Sequence, residues 1–164
     1  MKRFIIIALA ALAPQLAAAA AEVAAAAGGV VMAESAPAEA DGTPARPFAG
    51  TEVTLDQFRW VARPVVVFAD TEADPAFQRQ MELLASRAEA LAERDVVVII
   101  DTSPEPLSEV RRALRPRGFS LVIIDKDGQV ATRKPAPWDV REISRTIDKM
   151  PLRLQEIRER RLTR

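Results

Sequence analysis

Two stretches of this chain, Pro64 to Phe68 and Val96 to Ile100, are apolar on consecutive residues rather than on alternate ones. A strand with one face in water alternates apolar and polar side chains, whereas a strand covered by helices on both faces has no reason to. Both runs are rich in β-branched residues, which suit a pleated, buried surface. The pattern therefore calls for an α/β architecture with helices on both sides of the sheet, and it places Val96–Ile100 in the middle of that sheet.

The segments around these runs carry helix and turn signals. Asp74-Pro75 supplies an N-cap followed by proline at the first helical position. Behind it Phe77, Met81, Leu84, Ala88 and Leu91 recur at helical spacing, one apolar stripe reaching about residue 92. A second helix fits Leu107 to Leu114, closed by Pro116 and Gly118, and Leu121 to Ile124 reads as a third strand. Lys126-Asp127-Gly128-Gln129 puts Asp-Gly where a tight hairpin needs positive φ, so Gln129 to Arg133 returns as an antiparallel edge strand. Asp139 with Glu142 opens another helix, whose stripe is Val140, Ile143, Ile147 and Met150; Pro151 ends or kinks it before a final amphipathic segment from Leu152 to Leu162. Upstream, Thr54-Leu55-Asp56-Gln57 has capping-box form and leads towards Phe58 and Trp60. The order is β-α-β-α-β-β-α with extra helical pieces at both ends, and the first β-α-β crosses over right-handedly between parallel strands. Periodicity leaves the direction of the third strand open.

Ahead of this domain, Met1-Lys2-Arg3, the apolar run Phe4 to Leu12 and Pro14 before small residues read as a secretory signal peptide over residues 1–21. The alternative, an uncleaved anchor, meets the difficulty that the strongly apolar part is too short to span a bilayer. Residues 22–50 are rich in Ala and Pro without apolar periodicity and read as a disordered linker, leaving residues 51–164 as the domain. The expected location is periplasmic or secreted, and a chain whose signal is cleaved is not an integral membrane protein. The 164 residues carry 23 basic and 23 acidic side chains and no histidine, so nothing points to nucleic acid. Histidine's absence also removes the commonest general base and transition-metal ligand. Cysteine is absent as well. That excludes disulfides, dithiol exchange and cysteine peroxidase chemistry, all of which need a thiolate.

Several stretches together carry a family resemblance: Leu55-Asp56-Gln57-Phe58-Arg59-Trp60 with Arg63-Pro64, Val66-Val67-Phe68-Ala69, Asp74-Pro75 with Gln80, and Arg94-Asp95-Val96-Val97-Val98. Lys126-Asp127-Gly128 and Ile147-Asp148-Lys149-Met150-Pro151-Leu152-Arg153 with Glu156 continue it. In this order they resemble P-DUDES, a bacterial exported family of unknown function, whose domain also resembles modules in sushi-repeat and coiled-coil-domain secreted animal proteins. The resemblance implies a thioredoxin-like, peroxiredoxin-related fold with a mixed central sheet, an extra C-terminal helix and no established activity. Where a thioredoxin-like enzyme would carry its reactive cysteine after the first strand, this chain has Ala69-Asp70-Thr71-Glu72-Ala73-Asp74-Pro75.

Asp70, Glu72 and Asp74 alternate in that loop, with Asp101 at the end of the neighbouring strand, and the carboxyl ends of strands are where open α/β sheets bind ligands. Such carboxylates could hold a hard cation such as Ca²⁺; the plainer alternative has Asp74 capping the helix while Asp70 and Glu72 favour its positive end. Thr71 could replace the missing nucleophile only with an activating base, and histidine is not available to serve as one. Trp60 and Trp138 fit core packing better than ligand anchoring. Arg153, Arg158, Arg160, Arg161 and Arg164 form either a solvated helix face or a weak contact with an anionic surface. These features point to a non-enzymatic binding or interaction module of the cell envelope, without cofactor, whose partner is an unknown protein or envelope ligand. The alternatives are a metal-dependent or carboxylate-based hydrolase using the Asp70–Asp74 loop, and a holder of unfolded chains.

Overall fold

The computed structural model describes residues 47–163. The stretch read as a signal peptide, nearly all of that read as a linker, and Arg164 lie outside the described residues. The elements run β1 (Phe48–Ala49), a 3-10 turn (Leu55–Phe58), β2 (Arg63–Phe68), α1 (Pro75–Ala85), α2 (Ala88–Ala92) and β3 (Val96–Asp101). They continue with α3 (Glu109–Leu114), β4 (Ser120–Ile124), β5 (Val130–Lys134), α4 (Val140–Ile147) and α5 (Pro151–Leu162). The five strands form one mixed sheet in the order β1-β3-β2-β4-β5. β2 pairs in parallel with β3, Arg63 opposite Val96 through Phe68 opposite Asp101, and antiparallel with β4, Val65 opposite Ile123. This is the thioredoxin-like α/β fold with its mixed sheet and additional C-terminal helix.

The centre of the sheet is β2, not Val96–Ile100 as the apolar run suggests. All six residues of β2 are buried, while β3 is buried only at Val96, Ile99 and Asp101. The reason is β3's outer neighbour, a two-residue strand that covers Ile99 and Ile100 alone. Among the described residues regular structure starts at Phe48, inside the stretch read as linker, where the Phe48 ring also packs on Phe58 at 5.5 Å.

Alternation along β2 sorts the core into two layers. Val65, Val67 and Ala69 face α1, α2 and α4, meeting Phe77, Leu84, Leu91, Ile143 and Ile147. Val66 and Phe68 face the other way, onto Phe58, Val110 and Leu114 from the 3-10 turn and α3. Asp74 caps α1 as its sequence indicates, Oδ1 accepting from the Ala76 and Phe77 amides at 2.7 and 3.4 Å. The single stripe expected to residue 92 is split in two, because Arg87 takes φ −144° between α1 and α2. Thr54 precedes its helical turn without a side-chain capping bond. The second helix is shorter than Leu107–Leu114: Ser108 caps it, accepting from the Arg111 amide, and Arg115 in left-handed conformation ends it. Gly128 has φ +87°, as the hairpin requires. Among the described residues no helix is long and apolar enough to cross a membrane.

Trp60 departs from the expected core packing: it is 67% exposed. Its backbone is left-handed at φ 65°, a conformation that costs a side-chain-bearing residue about 1–2 kcal/mol. The neighbourhood imposes it. The Trp60 amide donates to the Lys126 carbonyl at 2.6 Å, while Val61 and Ala62 amides return to the Phe58 carbonyl. Replacing Trp60 by glycine removes the steric cost and replacing it by alanine does not. Trp60→Gly is therefore expected to be about 1 kcal/mol more stable than Trp60→Ala in urea denaturation; equal midpoints would contradict the strain.

Candidate functional site

Two buried polar centres lie at opposite ends of β2. The first sits at the carboxyl ends of β2 and β3, the edge at which open α/β sheets bind ligands. Asp101 closes β3, and α3 carries Arg111 over it. Arg111 Nε donates to Asp101 Oδ1 at 3.0 Å, and Nη2 donates to the carbonyls of Ala69 and Asp101 at 2.7 and 2.9 Å. The Ser108 hydroxyl donates to the other Asp101 oxygen while accepting the Arg111 amide. The Arg111 guanidinium also lies 5.4 Å from the centre of the Phe68 ring. Gly50 packs against the Asp101 side chain so closely that a Cβ there would fall 2.9 Å from Asp101 Cβ. Arg111 and Asp101 are thus covered, and their polar atoms are engaged with each other.

The four residues singled out from the sequence surround this centre without converging on it. Asp70, Thr71 and Glu72 are exposed. Asp70 Oδ1 stands 3.6 Å from Arg111 Nη1, an ion pair at the surface. The Thr71 hydroxyl accepts the Ala73 amide at 3.3 Å, a local turn contact. Asp74 is occupied as the cap of α1, and Asp101 is held by Arg111 and Ser108. Among the described residues no three acidic side chains come together in a way that could hold a metal ion.

The second centre was not foreseen as a site. Arg63, the first residue of β2, is 0% exposed. Its Nε donates to Asp125 Oδ1 at 3.0 Å, its Nη1 to the Arg94 carbonyl at 3.1 Å and to Glu156 Oε2 at 3.3 Å, and its Nη2 to Glu156 Oε1 at 2.9 Å. Glu156 projects from α5 and also takes Lys126 at 3.1 Å and Arg153 at 3.1 Å. Arg153 in turn donates to the Glu93 carbonyl, and Arg94 grips Asp148 through two bonds of 3.0 and 2.9 Å. The Asp148 hydrogen bond, acting first, raises the Arg94 pKa. Burial pushes the Glu156 carboxyl up, but hydrogen bonds from Arg63, Lys126 and Arg153 outweigh it and bring the group down to about 2. Arg63, Arg94, Asp95, Lys126, Asp148, Arg153 and Glu156 all belong to the stretches that carry the family resemblance. A charged residue heading a buried apolar strand, as Arg63 does, is the signal that could have located this centre.

A further member of those stretches, Gln80, is fully buried on α1. Its amide donates to the Trp138 carbonyl at 3.0 Å and accepts the Trp138 amide at 2.7 Å, which ties the approach to α4 onto α1. The Trp138 ring is half-buried against the core and carries Lys134 Nζ 4.4 Å from its centre.

Residues 54–156 match the family described as a domain of unknown function, DUF4174. The chain belongs to this family. Coiled-coil domain-containing protein 80 of Danio rerio is 29% identical over 133 residues, an alignment covering 63% of this chain and 15% of that protein. The DUF4174 chain therefore spans a small part of that relative's length. Among solved structures, the reduced 2-Cys peroxiredoxin of Plasmodium vivax superimposes with a TM-score of 0.49 at 17% identity, over 65% of this chain and 85% of its own. Thioredoxin peroxidase I of Plasmodium yoelii gives 0.45 at 18% identity, over 65% and 80%.

The Arg63 centre generates two expectations. Arg63→Ala takes from the buried Asp125 its ion-pair partner and from Glu156 one of three cations, so it is expected to cost about 3–5 kcal/mol in urea denaturation; a loss below 1 kcal/mol would refute the assignment. Glu156 has a folded pKa of about 2 against an ordinary 4.5, so its stabilisation is complete above about pH 4.5 and disappears as pH falls towards 2. Wild-type stability is expected to drop by up to about 3 kcal/mol more than that of Glu156→Gln across this window, as read from urea midpoints along a pH series.

Proposed function

We propose that this DUF4174 domain is a non-enzymatic binding or interaction module of the cell envelope, exported by its N-terminal signal, and that it falls within the P-DUDES set it resembles. One observation carries the reading: at the sheet end where a thioredoxin-like enzyme does its chemistry, the polar groups are already engaged. Ala69 and Asp70 follow β2 in place of a cysteine, and Arg111, Asp101 and Ser108 satisfy one another beneath Gly50. A reactive centre needs a group left free to attack or transfer a proton in a cleft. The hydrolase alternative would draw on the Asp70–Asp74 loop, where Asp74 already caps α1, Asp70 pairs with Arg111 at the surface and Glu72 is exposed to solvent. Thr71 has no hydrogen bond to a base among the described residues.

The test is a pull-down from an envelope extract of the native host, with the whole exported chain as bait and Asp70→Asn, Glu72→Gln and Asp74→Asn combined as the comparison. Partners retained by both versions are expected, meaning that recognition uses another surface. Loss of all capture in the triple variant alone would return the acidic loop to the position of a working site and reverse the proposal, as would turnover of an ester or phosphoester substrate that the triple variant abolishes.

A further inference from the structure

Large apolar side chains left in water concentrate at the end of the domain where β2 begins. Trp60 is 67% and Val61 61% exposed in the turn before β2, and Leu154 and Leu162 are 46% and 86% exposed on α5. Lys126 and Asp95 link the two elements. The Trp60 amide binds the Lys126 carbonyl, Lys126 Nζ lies 3.1 Å from Glu156 on α5, and Arg160 Nη2 lies 3.9 Å from Asp95, the other acidic partner of Lys126.

Helix α5 divides its side chains accordingly. Arg153, Glu156 and Arg160 share the side that meets Glu93, Arg63 and Asp95. Leu154, Arg158, Arg161 and Leu162 follow at spacings of four, seven and eight residues and form a second, exposed stripe. The acidic groups near this end are engaged. Glu159 binds the Gln155 amide at 2.8 Å, Asp56 pairs with Arg59 at 3.3 Å, and Asp127 accepts the Gln129 amide at 2.8 Å. Leucine and tryptophan stand outward there beside arginine, with the Glu159 carboxylate still charged among them.

Trp60 adds a second argument. A bulky residue in left-handed conformation, with its ring in water, contributes little to the core and works against its own backbone. Observed strain of this kind argues for a surface task.

We infer that this end of the domain docks on an anionic phospholipid surface, with Trp60, Val61 and Leu162 entering the headgroup layer and Arg158 and Arg161 meeting the lipid phosphates. The inference rests on the binding-module reading and names its partner. Arginine beside tryptophan and leucine is the composition that interfacial attachment uses, apolar area supplying part of the affinity and attraction to anionic lipid the rest. A soluble polyanion would use the arginines and leave the apolar residues without a role. A protein ligand would be served better by a groove, and the grooves of about 310 and 300 Å³ beside the start of α3 and between α2 and α4 are not lined by Trp60, Val61 or any residue of α5.

The chain has two tryptophans and no tyrosine, so Trp138→Phe makes Trp60 the only emitter of its kind. The experiment adds vesicles of phosphatidylglycerol with phosphatidylcholine, or of phosphatidylcholine alone, to the full chain carrying Trp138→Phe and follows Trp60 emission. A blue shift with the anionic vesicles only, weakened by salt, is expected. The pair Arg158→Gln and Arg161→Gln is expected to weaken partitioning about thirty-fold, each arginine near the surface being worth about a factor of five. Should Trp138→Phe disturb folding, Trp60→Phe in the otherwise unaltered chain serves instead and must abolish the vesicle-induced shift. Because emission reports Trp60 itself, attachment through residues 1–21 leaves it unchanged. Unchanged Trp60 emission overturns the inference, and so does an equal shift with heparin in place of vesicles. If Trp60 stays silent while envelope partners are still captured, the lipid surface is wrong and the binding module stands; if capture fails as well, both fall.

Discussion

A positive charge with no exposure at all governs how this molecule is put together. Arg63 heads the central strand, and removing an ion from water costs several kcal/mol unless neighbouring groups replace its hydration. Here the replacement comes from three separate parts of the chain: the carbonyl before β3, the carboxylate after β4 and the carboxylate of α5. Each must arrive for the others to be satisfied. The position of α5 is consequently set by charge, with Glu156 answering Arg63, Lys126 and Arg153 together, and several of the motifs that carry the family resemblance contribute residues to this one assembly.

At the other end of the same strand a second arginine plays a different part. Arg111 closes the crevice that the topology opens at the carboxyl ends of β2 and β3, drawing in Asp101, Ser108 and the Ala69 carbonyl. The two ends together make a scaffold whose buried arginines, Arg63 and Arg111, are each answered by carboxylates and backbone carbonyls.

Much of the architecture was readable because local chemistry announced it. Asp74-Pro75 caps α1, Asp127-Gly128 turns the hairpin, and the stripe Val140, Ile143, Ile147 and Met150 is buried as spaced. The failures have particular causes. An uninterrupted apolar run says that a strand is covered, not which neighbours cover it, so β3 was placed where β2 lies. The break at Arg87 has neither glycine nor proline to mark it. Trp60 looked like core because aromatic residues usually are, and only the turn that bonds its amide to Lys126 sends it outward. The Arg63 assembly joins residues up to 93 apart, and ion pairs leave no periodic trace. Of the loop singled out as a site, the cap at Asp74 was legible; the engagement of Asp101 by Arg111 depends on where α3 lands.

The two-residue strand β1 has an influence out of proportion to its length. Unpaired strand edges are templates for pairing with another chain, and proteins blunt them by covering them, keeping them short or charging them. β1 shields Ile99 and Ile100 on one side of the sheet while presenting an edge too short to recruit a neighbour. The opposite edge, β5, carries Arg133 and Lys134, whose charges repel a second copy laid alongside. With no disulfide to hold a wandering strand in place, protection against aggregation rests on how the sheet is finished at its margins.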